Sequence, residues 1–418
     1  TTAVSWVLPA ADGSNGQVLV TNGSGALSFA TAASGADLYA ANESSPAAQP
    51  SATGTNAIAI GDQAVSSGTD SFAIGTDTDA TGTSSLAIGK GAQATANHNL
   101  AIGLNASASA SRAIAMGNNG VIAGSTYSTA IGHNSGTGGS VTATGSGAMS
   151  LGGSYASGAD SFAAAMVNNT SSYGAQGINS IAMGTRAKSL SNYGVAIGFT
   201  AIANEQSTSL GPNSTAGGTS GIRSTAVGYQ VYAGGSNNTA IGSGSGARTA
   251  AFGDVASSSA IGHQAVSLRS GQISFGNGRV DNDGDSQYSV TTLRCKTTNN
   301  TQTVMTTDNS TATALNQINL ASRVAMSFKG MVVARESAGS GTDCAAFEIS
   351  GLIRQEAGGA STTVLVNSAI TVIDNQPSWG LALSADTTLG GLKIQVTGAS
   401  STTIKWAAPI QCAEVYMP

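Results

Sequence analysis

The chain is poor in charge. Of its 418 residues only 9% are Asp, Glu, Lys or Arg, and the formal net charge is −5. It therefore has no basic patch of the kind that binds nucleic acid. Aromatic residues are 5%, so few large side chains are available to fill a conventional core. No apolar run is long enough to span a membrane as a helix. The three cysteines, Cys295, Cys344 and Cys412, fit no zinc spacing and read as buried free thiols, with a single disulfide and one thiol left over as the alternative. His98, His133 and His263 share no short motif with a nucleophile, and a P-loop, a nucleophile elbow and H-E-x-x-H are all absent.

What is plentiful is glycine, 56 residues, and a phrase that carries it. Ala59-Ile60-Gly61, Ala73-Ile74-Gly75, Ala87-Ile88-Gly89, Ala101-Ile102-Gly103 and Ala115-Met116-Gly117 recur every 14 residues. The phrase returns less regularly as far as Ser274-Phe275-Gly276. A fixed short period means stacked copies of one unit, each too small to bury its own apolar face. Within a copy, Phe72 and Ile74 alternate with Ser71, Ala73 and Gly75, which is the strand period. A helix is excluded, since two glycines per copy would each cost about 1 kcal/mol against Ala. The expectation is a coil of short parallel strands, with small residues (Ala, Ile, Val, Ser) pointing inward. Gly61, Gly75, Gly89, Gly103 and Gly117 are expected at equivalent corners. About sixteen coils at about 4.8 Å each give a rod roughly 75 Å long. So thin a rod is expected to gain burial by oligomerising.

Residues 71–75 and 85–94 carry the pattern S-x-A-I-G-x-x-A-x-A. It resembles the head repeat of YadA-like trimeric adhesins. That resemblance implies a left-handed parallel β-roll with three chains side by side. Three stretches depart from the period. The stretches from Gly132 to Gly152 and from Ala165 to Gly184 are long, which predicts loops. Gly242, Gly253 and Gly262 are closer together, which predicts a taper or irregularity.

The ends differ from the repeats. Residues 1–54 read as a β-hairpin module and linker, with Asp12-Gly13 and Asn22-Gly23 as turns and Ala40 to Thr55 as the linker. Its run from Gly16 to Phe29, G-Q-V-L-V-T-N-G-S-G-A-L-S-F, resembles a short motif of phage tail-fibre and related virion proteins. Residues 55–280 are the roll. Residues 281–418 show period-two runs between turns, which predicts an antiparallel β-sandwich. Gly284-Asp285-Ser286-Gln287, Leu293-Arg294, Thr297 to Thr301 and Val332 to Arg335 resemble the C-terminal domain of phage tail-fibre-like proteins.

Candidate sites are few. Asp281, Asp283 and Asp285 place alternate carboxylates beside Gly284, and either wrap calcium with oxygen ligands or form a solvated turn. Arg335, Trp379, Trp406 and Tyr416 are candidate receptor contacts in a tip domain, with a core role for both Trp as the alternative. Glu205, Asp254, Glu336, Asp343, Glu348 and Glu356 are too sparse to announce the paired carboxylates of glycan cleavage. The expected protein is an all-β, trimeric phage tail fibre and not an enzyme. It would join virion or fibre components through its N-terminus and attach to a bacterial surface glycan or protein. A bacterial trimeric surface adhesin or filament subunit is the alternative, and a glycan-cleaving tailspike a second. No heptad stretch of the kind a surface-anchored stalk would need is present.

Overall fold

The structure, a computed structural model, describes residues 5–15, 17–31, 48–133, 141–165, 171–218, 221–247, 255–337, 343–374, 376 and 378–416. Each repeat closes one coil with two strands. Ile58–Ile60 pairs in parallel with Phe72–Ile74, which pairs with Leu86–Ile88, and the ladder continues to Gln272–Asn277. The second strands stack in the same way as a 15-stranded sheet, from Ser51–Ala52 to Val266–Ser267. Fifteen coils at about 4.8 Å make a rod about 72 Å long. The roll thus starts at Ser51, inside the stretch read as a linker.

The alternation is as expected, but its direction is reversed for the large residues. Ala73, Ala87, Ala101 and Ala115 are fully buried inside the coil. Ile74 and Ile88 face outward and are half-buried, while Phe72, Ile131, Ile197 and Ile241 are exposed. The coil is too thin for isoleucine. Its interior holds mainly Ala and Ser, and most of the buried hydroxyls are satisfied locally, those of Ser189 and Ser245 excepted. Ser71 Oγ donates to the Gly68 carbonyl at 2.7 Å, and Ser85 Oγ to that of Gly82 at 2.7 Å. Asn99 fills the same place one coil on, donating to the Ala108 carbonyl at 2.6 Å and accepting from the Ala113 amide at 3.1 Å.

Gly61, Gly75, Gly89, Gly103 and Gly117 stand at one corner of successive coils, with φ from 119° to 137°. A Cβ on Gly89 would lie 2.6 Å from the Gly103 carbonyl oxygen. Left-handed φ and backbone stacking both require glycine there. Other corners do not use it: Asp70, His98 and Arg112 adopt φ of 54–60°, the left-handed region that polar residues tolerate better than branched ones.

The irregular intervals leave the ladder in register. Thr129–His133 pairs directly with Met149–Gly152, and Gly242 with Gly262. Among the described residues there is no taper at Gly242. Gly253 and Asp254 lie outside the described residues.

At the N-terminus, Gln17–Thr21 pairs antiparallel with Leu27–Thr31. Asn22 Oδ1 accepts the amides of Ser24 at 2.9 Å and Ala26 at 3.2 Å, which fixes the turn. Residues 40–47 of the expected linker lie outside the described residues.

The C-terminal strands are β1 (Ser286–Thr297), β2 (Val324–Glu336), β3 (Cys344–Arg354), β4 (Val364–Asp374), β5 (Gly380–Asp386), β6 (Gly391–Thr397) and β7 (Ile404–Tyr416). The last coil strand, Gln272–Asn277, pairs antiparallel with β1, so the roll's long sheet continues as β1, β7, β2, β3 and β4. A continuing strand covers the edge that a bare solenoid would leave open. A second antiparallel sheet, β5 and β6 with two short strands, packs on one face. Between the sheets lies the main core, including Leu293, Met326, Phe328, Ile349, Ile394 and Ile410. Cys295 and Cys412 are buried, whereas Cys344 is exposed, against the expectation for all three. Among the described residues no helix is long and apolar enough to cross a membrane.

Candidate functional site

Three surfaces are candidates for interaction. The first runs the length of the roll. Its long strands present two in-register outward columns: one, beginning Ile60, Ile74 and Ile88, stays apolar to Phe275, while the other, beginning Ile58, Phe72 and Leu86, gives way to Thr129, Thr208, Thr225, Thr239 and Ser259 along the way. An exposed apolar band of this extent is a candidate surface for packing against another chain.

The second is the joint between roll and domain, which sequence reasoning missed. Arg269 and Glu414 are buried and paired in bidentate fashion, NH1 to Oε1 at 2.8 Å and NH2 to Oε2 at 3.1 Å. Glu414 also accepts from Ser289 Oγ at 2.8 Å and from Gln272 Nε2 at 3.3 Å. Burial opposes ionisation of Glu414, but the Arg269 charge and its hydrogen bonds outweigh it and hold the carboxyl below its usual range. Burial, then the nearby Glu414 charge, pushes the Cys412 thiol up to about 12, which leaves it inert as a nucleophile. Nothing in the sequence pairs residues so far apart. The one available signal was their charge within apolar, alternating runs.

Asp285 belongs to this joint. Its carboxylate accepts the amides of Val280 at 2.9 Å, Asp281 at 2.5 Å and Asn282 at 2.7 Å. Burial opposes ionisation of Asp285 too, and these amide bonds prevail, so its carboxyl sits below the ordinary value. Asp283 pairs instead with Arg279 at 3.0 Å. Asp281, Asp283 and Asp285 are therefore not assembled into a cation cage. Among the described residues no three His, Cys, Asp or Glu side chains converge as metal ligands. The residues form a turn closed on its own carboxylate.

The third surface is the outer face of the C-terminal sheet. Two open hollows of about 350 and 340 Å³ lie on it, one beside Arg323 and Arg354, the other beside Tyr288, Lys329 and Gln411. Arg335 is exposed on this face. The two tryptophans are not on it. Trp379 is 7% and Trp406 2% exposed. Their rings pack 5.9 Å apart in the core, with Trp406 Nε1 donating to Thr297 Oγ1 at 3.0 Å. Both are structural, because each falls on the inward phase of its strand or loop. Tyr416 is half-buried against the same core, and its amide donates to the Asp285 carbonyl at 2.8 Å. The expected contact set of Arg335, Trp379, Trp406 and Tyr416 is thus reduced to Arg335 as an outward residue. Of the sparse carboxylates, Glu348 faces Lys329 at 2.9 Å and Glu356 faces Arg354 at 3.2 Å.

The YadA head domain repeat matches residues 52–78, 80–98, 100–119, 175–201 and 204–229. These matched stretches of the roll are thus similar to YadA head repeats. No curated protein sequence matches the chain. Three solved structures are similar at low level. One is a tailspike protein of Acinetobacter baumannii bacteriophage Fri1, a capsular polysaccharide depolymerase, at 10% identity and TM-score 0.24, covering 83% of this chain and 55% of that one. The tailspike of Acinetobacter phage vB_ApiP_P1 shares 10% identity at TM-score 0.22, covering 88% and 78%. That of Acinetobacter baumannii phage AM24 shares 11% at TM-score 0.17, covering 89% and 76%. This chain spans about half the length of the first. At these scores the likeness carries no argument.

Proposed function

We propose that this chain is the subunit of a trimeric attachment fibre, with the roll as shaft and the C-terminal domain as tip. The observation that supports this most strongly is the outward apolar band on a roll with stretches similar to YadA head repeats. The coil interior is filled by Ala and Ser with a few Val, Thr and Asn, so the Ile, Leu and Phe outside are not needed to fill it. They are suited to packing between chains. Three copies around an axis bury one such band on each.

A phage tail fibre is favoured over a cell-anchored adhesin by the N-terminal hairpin. There the motif at residues 16–29 resembles that of virion proteins, and its turn is fixed by Asn22. Trp6, Leu8, Val18 and Leu19 are exposed on that module. A two-strand hairpin with its apolar residues uncovered is marginal alone and suited to docking on further fibre or virion. The fibre would act outside the cell, binding a bacterial surface without cleaving it. The test is adsorption of the purified chain to a panel of bacteria, with release of reducing ends from their polysaccharides measured in parallel. Adsorption without release supports the reading. Release of sugar would make the chain a cleaving tailspike, and adsorption to no strain would remove the attachment role.

A further inference from the structure

Several cations around the C-terminal domain are paired and several are not. Arg269, Lys329, Arg354 and Lys393 each have a carboxylate within 3.4 Å: Glu414, Glu348, Glu356 and Asp386. Arg294, Lys296 and Lys405 are exposed and, among the described residues, form no ion pair. These three are not scattered. Lys296 stands in register with Lys405, and Lys405 with Arg335 on the next strand. Arg294 is two residues before Lys296 on β1 and shares its face. Cβ atoms directly opposite on neighbouring strands are about 5 Å apart.

All four project from the outer face. The residues that alternate with them, Leu293, Cys295, Ile404, Trp406 and Ala334, are core. Glu336, the neighbour of Arg335, is in register with buried Ile404 and so lies on the other face. The patch therefore holds a quarter of the chain's 16 Lys and Arg. It sits at the far end of the tip: Lys296 is eight residues beyond Tyr288, which packs against Phe275 of the last coil. At about 3.4 Å per residue that is about 27 Å from the roll. Like charges directly opposite on a sheet destabilise it. Here a chain almost without charge carries three in one row, on three successive strands. Ala407 and Val333, between and beside them, keep the surface low and flat.

We propose that this patch binds a polyanionic surface glycan, one that bears regularly spaced carboxylates or phosphates. The proposal rests on the reading of the chain as an attachment fibre and narrows its receptor class. The Arg294 guanidinium offers paired N–H donors to an anion, and the ammonium groups of Lys296 and Lys405 add point charges beside it. The row crosses the strands, so an extended anionic chain would lie across the sheet.

The test uses the full chain and three polymers: polygalacturonate for carboxylate, a glycerol-phosphate teichoic acid for phosphate, and neutral dextran. The chain is expected to bind one or both polyanions and not dextran, with affinity falling as salt screens the charges. Which polyanion binds tells the two anion chemistries apart. The triple variant Arg294→Gln, Lys296→Gln, Lys405→Gln should lose roughly tenfold or more in affinity. Lys90→Gln, on the roll, should lose none. Unchanged mass and melting temperature would show that the triple variant is folded. Binding of the triple variant equal to the native chain, or no binding of either polyanion by the native chain, overturns the proposal. Adsorption to bacteria separates it from the reading beneath it. If native chain and triple variant adsorb equally, the attachment reading stands and the patch falls. If the native chain binds polyanion through the patch but adsorbs to no cell, the reverse holds.

Discussion

Arg269 and Glu414 meet as a buried bidentate pair at 2.8 and 3.1 Å across the joint between the roll and the C-terminal domain. Removing one partner leaves the other charge buried and alone, which costs about 3–5 kcal/mol. Arg269→Met should therefore lower the melting temperature sharply. Replacing both, Arg269→Met with Glu414→Leu, should recover most of the loss. A double variant no more stable than the single one would mean that the pair's charges are not what matters at the joint.

The same pair sets a pH response. The folded Glu414 carboxyl lies below its ordinary value, near 4.3 when unfolded. Its contribution is complete above that value and is lost as pH falls through the folded one. Melting followed against pH should show stability dropping on the acid side, with a smaller drop in Glu414→Gln. Equal acid sensitivity in both proteins would contradict this.

Ala87 and Ile88 are adjacent and should fail differently. Ala87→Leu forces bulk into a filled coil and should destabilise the chain by about 1–3 kcal/mol or more. Ile88→Asp places a charge on the outer band and should leave the coil folded while weakening assembly. Circular dichroism and light scattering on both variants separate the effects. If Ile88→Asp unfolds the chain at dilutions where the native protein is monomeric, the outward placement of Ile88 is wrong.

The strand period at Phe72 to Gly75 was legible because alternation depends only on residue type. Which side faced inward was not. Hydrophobicity says that Ile is inside, and coil thickness says that Ala is; thickness is a property of the stacked object. The Trp379–Trp406 contact shows the same limit, since a tryptophan in a short sequence run carries no sign of which sheet covers it. The Asp281–Asp285 cluster reads as a cage by spacing, yet backbone amides reach Asp285 first. The glycine corners were legible because φ near +120° admits no other residue at ordinary cost.

Those corners give the next expectation. A side chain on Gly89 would meet the backbone of Gly103 at 2.6 Å, and a β-branched residue at that φ is strained as well. Gly89→Val should melt well below native, and Ser67→Val, at an exposed site, should melt near it. Equal melting of the two would argue against the stacked corners.

At the Asp285 turn, chelation should leave the melting temperature unchanged, because the carboxylate is held by three amides. Asp285→Ala should lower it, since those amides lose their acceptor within a buried joint. A chelator that destabilised the native chain but not Asp285→Ala would restore an ion to this turn.

What covers the outward band of the roll decides whether the chain is a trimeric fibre. Light scattering coupled to size exclusion measures it directly on the native chain. The expected mass is three times the 40.8 kDa of one chain, with Ile88→Asp shifted toward smaller species. A monomer mass at concentrations well above micromolar, with the band exposed to water, would contradict the trimeric fibre at its base.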